Sequence, residues 1–109
     1  MDRLGNQINV DDAIIFNQAE SYYRDSYVLA WVTKVSPTGA LDADVIRTEK
    51  IRVPEANKYD ITVPDFNHII GKIRLIPKRG RDSGPGRYRY DKRDTTVYHY
   101  DSNTKYYEG

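Results

Sequence analysis

The chain has two histidines, His68 and His99, on separate segments and with no companion at metal-ligand spacing. Two isolated imidazoles do not make a metal site. His68 therefore reads as a strand residue beside the core, and His99 as a surface or stacking residue. Paired carboxylates occur at Asp11-Asp12 and at Asp42 and Asp44. General acid–base work needs one carboxyl in a pocket and another left ionised. Asp42 and Asp44, two apart on an expected strand, share one face and point to water. There is no cysteine, which excludes thiolate zinc sites and disulfides. Gly80, Gly84 and Gly86 lack the strand-to-helix context of a phosphate-binding loop. No serine stands in a nucleophile elbow. The expectation is a protein that is not an enzyme, with no cofactor, no metal and no small-molecule substrate.

Binding chemistry is better represented. Lys78, Arg79, Arg81, Arg87, Arg89, Lys92 and Arg93 are interleaved with Tyr88 and Tyr90. Cations neutralise phosphates, and rings and guanidinium groups stack on bases, so this segment is a candidate nucleic-acid surface. The charge distribution sharpens the point. Residues 1–77 carry 9 Lys and Arg against 11 Asp and Glu, whereas residues 78–93 carry 7 against 2. Interspersed acids, Asp82, Asp91, Asp94 and Asp101, temper it. A second candidate set is aromatic: Tyr22, Tyr23, Tyr27, Trp31, Tyr98 and Tyr100. Tyrosine and tryptophan are enriched at protein–protein hot spots, so these residues point to a protein partner instead.

The elements that must position these residues read as β throughout. Ile8 and Val10 alternate, which suits a strand with one buried face, and Asp11-Asp12 follows as a turn. Ala13–Phe16 is a short apolar run, read as a strand in preference to a helix capped by Asp12. Asn17–Ser26 reads as a loop. Tyr27–Val35 is rich in β-branched and aromatic residues and is the strongest strand. Ser36-Pro37-Thr38-Gly39 supplies a turn, and Leu41–Arg47 returns antiparallel. Ile51–Val53 and Tyr59–Val63 are shorter strands flanking Pro54-Glu55-Ala56-Asn57. His68–Ile76 is another strand, in which Gly71 marks a bulge or bend. Five or six short strands without a helix predict a closed barrel, which leaves no exposed edges.

The segment Leu4-Gly5-Asn6-Gln7-Ile8-Asn9-Val10-Asp11-Asp12-Ala13-Ile14-Ile15-Phe16, with Leu29-Ala30-Trp31-Val32-Thr33-Lys34-Val35, resembles small SH3-like barrels of the KOW type. Asp11 and Ala30 stand where that pattern carries glycine. The resemblance covers about residues 4–76, and similar small proteins occur among accessory proteins of tailed bacteriophages. It implies binding to nucleic acid or to the transcription and translation machinery. For a phage protein it also implies docking on a host protein or assembly into a virion.

The resulting expectation is all-β: an SH3-like barrel of five or six strands at 1–77, a basic Gly/Arg-rich linker at 78–94, and a tyrosine-rich hairpin or tail at 95–109. The candidate core is Val10, Ile14, Phe16, Val28, Ala30, Val32, Val45, Ile70, Ile73 and Leu75, with Trp31 either a core plug or an exposed platform. No apolar run approaches the ~20 residues that span a bilayer, and no signal-peptide pattern opens the chain. A cytoplasmic setting, the host cytoplasm for a viral protein, is the simplest expectation. The oligomeric state is left open.

Overall fold

A computed structural model describes residues 1–19, 25–52, 60–79, 84–90, 93–103 and 107–108. It contains seven strands: β1 (Ala13–Ala19), β2 (Asp25–Val35), β3 (Leu41–Arg52), β4 (Asp60–Pro77), β5 (Arg87–Tyr90), β6 (Arg93–His99) and β7 (Tyr107–Glu108). The first six pair antiparallel with their chain neighbours, and β6 returns to pair with β1. The result is a closed six-stranded antiparallel barrel, consistent with a small SH3-like barrel. Closure gives every barrel strand a hydrogen-bonding partner on both sides. The short β7 adds to β4 at Asp60 and Ile61.

Local chemistry accounts for the strand ends. β2 and β3 are joined by a turn at Ser36–Gly39, where Gly39 adopts φ +90°. Ser36 Oγ accepts the Ala40 amide at 3.0 Å. Ahead of β1, Asp11 is the one described non-glycine residue with positive φ, 72°. Aspartate tolerates that left-handed conformation better than most residues, which explains how it occupies a position where the resembling pattern has glycine. β4 is a single strand of 18 residues that takes in His68–Ile76 and all of the expected Tyr59–Val63 except Tyr59, which lies outside the described residues. Its pairing with β3 slips on either side of Ile46: Val45 faces Gly71, Ile46 faces Ile69, and Arg47 faces Asp65. The ladder skips Ile70 next to Gly71, where an irregularity is expected, and a larger skip precedes it in the chain at Phe66–His68.

The C-terminal third differs most from expectation. Residues 87–90 and 93–94, read as linker, are barrel strands. β5 seals against β4, and β6 seals against β1. The barrel accordingly runs through His99 and does not stop at Pro77. Residues 107–108 pair with β4 and do not fold back on 95–100 as the expected hairpin requires. The physical reason lies in Arg87-Tyr88-Arg89-Tyr90. This period-2 alternation carries tyrosines on the inner face and arginines on the outer one. Tyr88 is buried, and Tyr90 packs edge-on against Phe16 with ring centroids 5.5 Å apart.

The barrel interior holds Ile14, Phe16, Ala30, Val32, Leu41, Ala43, Leu75, Tyr88 and Val97, with Ile8 from the N-terminal segment as a plug. Val28 and Ile73 pack partly buried against this cluster, as expected of core residues. Val10 and Ile70, also expected inside, are exposed. Val10 sits on the turn before β1 and Ile70 at the β4 irregularity, so simple alternation misplaces both. The Ile8–Val10 segment is not a strand. A second buried cluster, Ile15, Leu29 and Ile46, lies on the opposite face of the same strands.

Candidate binding face

That second cluster is the floor of the surface most suited to bind something. The strand registers place Tyr98 opposite Ile15, Ile15 opposite Leu29, Leu29 opposite Ile46, and Ile46 opposite Ile69. An unbroken apolar row thus crosses five strands on the outside of the barrel. Tyr27 and Tyr100 pack over its middle. Its ends stay open, with Tyr98 42% and Ile69 58% exposed.

The neighbouring register row runs Ala13, Trp31, Asp44, Lys72. Trp31 stands on the outer face and is fixed from two sides. Its indole Nε1–H donates to Asp11 Oδ1 at 3.1 Å. Phe66 meets it edge-to-face at 6.1 Å and 82°, and contacts Tyr100 similarly at 6.0 Å and 69°. Phe66 reaches this position because Phe66–His68 are extra residues in β4, between the paired Asp65 and Ile69. Asp65 braces that excursion by accepting the Asn67 amide at 3.2 Å and by meeting His68 Nδ1 at 2.6 Å. His68 is thus an exposed partner of Asp65 and not a residue beside the core.

Trp31, Phe66, Ile46, Ile69 and Asp44 line a hollow of about 380 Å³. Trp31 and Phe66 form two perpendicular walls over an isoleucine floor. The Asp44 carboxylate has no hydrogen bond or ion pair among the described residues.

No known protein family, curated protein or solved structure matches this chain.

The two sets of candidate residues fare differently. Tyr27, Trp31, Tyr98 and Tyr100 lie together on the outer face. Tyr22 and Tyr23 lie outside the described residues. Of the basic set, Arg81 and Lys92 also lie outside them. Tyr88 is a core residue whose hydroxyl donates to the Met1 carbonyl at 3.2 Å, so it cannot stack on a base. Burial, and secondarily the Asp2 charge, push its pKa up. Tyr90 is likewise engaged with Phe16. Lys78 Nζ lies 2.6 Å from Asp94 and Arg89 Nε 3.7 Å from it, which offsets part of the positive charge. The hydrogen bond from Lys78 holds the Asp94 pKa below its usual value, with Arg89 and Arg87 adding to it. Arg87 donates to Thr96 Oγ1 at 3.0 Å. Arg79 and Arg93 are exposed, and Arg93 has an interaction of its own. The arginines survive as an outer charged face, but without the interleaved rings.

Sequence reasoning did not find Phe66, Ile69, Ile15, Leu29 or Ile46. A usable signal existed in the contiguous pairs Ile14-Ile15 and Leu29-Ala30, since two adjacent apolar strand residues must face opposite sides.

One cluster of titratable groups lies at the end of the barrel. Asp2 is 1% exposed, and its carboxylate accepts the Leu4 and Asn6 amides at 2.9 and 2.8 Å. His99 Nδ1 lies 2.5 Å from Asp2, and its Nε2 lies 3.0 Å from Asp12. Asp12 also accepts the Asn9 amide at 2.7 Å. A ring with a carboxylate on each nitrogen is best satisfied as an imidazolium donating twice. Burial alone would lower the His99 pKa, but the hydrogen bonds to Asp2 and Asp12 outweigh it and raise the value. Burial opposes ionisation of Asp2, yet His99 and the Asn6 amide together bring its pKa below the usual range. His99 is therefore not the surface or stacking residue expected. With both nitrogens engaged it has no site for abstracting a substrate proton, and it ties the N-terminal segment to the end of β6.

Proposed function

We propose that this chain is a non-enzymatic binding module that recognises a protein partner through its outer aromatic face. One observation carries the reading: the apolar row from Tyr98 to Ile69 continues across five strands and ends in exposed side chains, with Trp31 and Phe66 held rigidly beside it. Rigid aromatic anchors around a desolvated floor are the ingredients of an interface hot spot. The engagement of both His99 nitrogens supports the non-enzymatic part of the reading. No described helix is long and apolar enough to cross a membrane.

The test is chemical cross-linking of the wild-type chain to an identified partner, with the cross-linked residues mapped. Links concentrated at Lys72 and Tyr98, beside Phe66 and Ile69, with partner binding lost in Ile69→Asp, support the reading. Links confined to the β5 side overturn it. A second reading, phosphate contact by nucleic acid, is favoured by the exposed Arg89 side chain together with Arg79. Such binding weakens steeply with salt and falls on removal of those two charges.

A further inference from the structure

The hollow beside Trp31 is more specific than a general apolar patch, because one of its five lining residues is a carboxylate. Asp44 is two residues from Asp42 on the same strand face, but the two differ in company. Asp42 is paired with Arg74 Nη1 at 3.2 Å. Asp44 has no such partner among the described residues, and Lys72 across the strand is beyond ion-pair distance. A second carboxylate, Asp11, sits on the indole nitrogen of Trp31. It polarises the N–H and adds negative potential at the edge of the ring. The walls are two aromatic rings at right angles, whose faces carry negative quadrupole density.

We infer that this hollow receives a cationic side chain, the guanidinium or ammonium of an arginine or lysine in an extended segment of the partner protein. This rests on the reading of the outer face as a protein-docking surface and names what the surface selects. A cation here gains the Asp44 carboxylate and an aromatic face together, two attractions that reinforce one another. Its aliphatic stem lies along Ile46 and Ile69. Asp44 and Asp11 disfavour phosphate inside the hollow itself, although Lys72, Lys34 and Arg74 stand on the neighbouring side of Asp44.

Trp31 is the only tryptophan in the chain, so its emission reports on the hollow directly. The full chain is titrated with a capped peptide carrying one arginine flanked by valines. The matched peptide has citrulline, which keeps the shape and removes the charge. A single-stranded oligonucleotide is titrated alongside. The expected result is a saturable emission change with the arginine peptide and roughly tenfold weaker binding of the citrulline peptide. Asp44→Asn should erase that difference while leaving the melting temperature unchanged. Equal titration by both peptides overturns the cation inference and leaves the docking reading standing. No response to either peptide also overturns the inference, and the cross-linking map then judges the docking reading alone. A response only to the oligonucleotide overturns both. The comparison of arginine with citrulline needs no variant, so it holds even if Asp44→Asn perturbs folding.

Discussion

Replacing Asp2 with alanine tests whether the imidazolium bridge holds the barrel's end together. One carboxylate, 1% exposed, there receives two backbone amides and the His99 ring. A hydrogen bond to a charged group contributes about 1.5–3 kcal/mol net, but bonds sharing one acceptor do not add in full. Removing one partner of a buried pair generally costs about 3–5 kcal/mol. His99 keeps Asp12, so about 3–4 kcal/mol is expected here, a large share of the ~5–15 kcal/mol of a typical domain. Denaturant unfolding followed by Trp31 emission would show it as a lower midpoint with little change in slope. The loss should depend on pH. Asp2, with its pKa lowered, contributes stability that is present above its ordinary value of 3.8 and vanishes as pH falls through the lowered one. His99, with its pKa raised, contributes stability that is present below its ordinary value of 6.5 and vanishes as pH rises through the raised one. The gap between wild type and Asp2→Ala is therefore widest between these two values and narrows on either side. A gap below ~1 kcal/mol, or one independent of pH, would refute the charged bridge.

Three further outcomes follow from the packing. Gly86→Ala should cost about 3 kcal/mol or more in thermal melts, since φ is +78° and a Cβ would collide with the backbone of Asp2 and Arg3. Trp31→Ala should cost only about 1–3 kcal/mol in the same melts, because the ring is 36% exposed, yet it should abolish partner binding measured by calorimetry. A chain ending at Pro77 lacks β5 and β6, and size-exclusion chromatography should show it aggregated, with β1 and β4 each left with an open edge.

The fold class was readable because Tyr27–Val35 and Leu41–Arg47 flank a clear turn, and the one segment with a helical alternative, after Asp12, has its apolar stripe interrupted by Asn17-Gln18. What was hidden has two physical causes. First, composition concealed strand character in β5. The arginines of Arg87-Tyr88-Arg89-Tyr90 suggest a solvated linker, while the alternation alone describes a strand with a tyrosine inner face. Second, irregularities in β4 cannot be located from periodicity. Phe66 reaches the outer face only because three extra residues interrupt the ladder, and Ile70 faces solvent for a related reason. The aromatic face was half legible: Trp31, Tyr98 and Tyr100 were chosen by residue type, whereas its aliphatic floor depended on registers between distant strands. His99 shows the same limit, since its partners lie 97 and 87 residues away.

The pairing of β6 with β1 also governs when this protein can exist as a folded object. Phe16 finds its strand partner Val97 only after some eighty intervening residues have been made. Such distant pairing carries a loop-closure cost that slows folding toward the millisecond-to-second range. During synthesis β1 must wait beside β2 with one side unsatisfied, and the five-residue row on the outer surface lacks Tyr98 throughout that wait. On the proposed docking reading, competence to bind would arise in the same event as barrel closure, so a partner of this face would encounter only finished molecules.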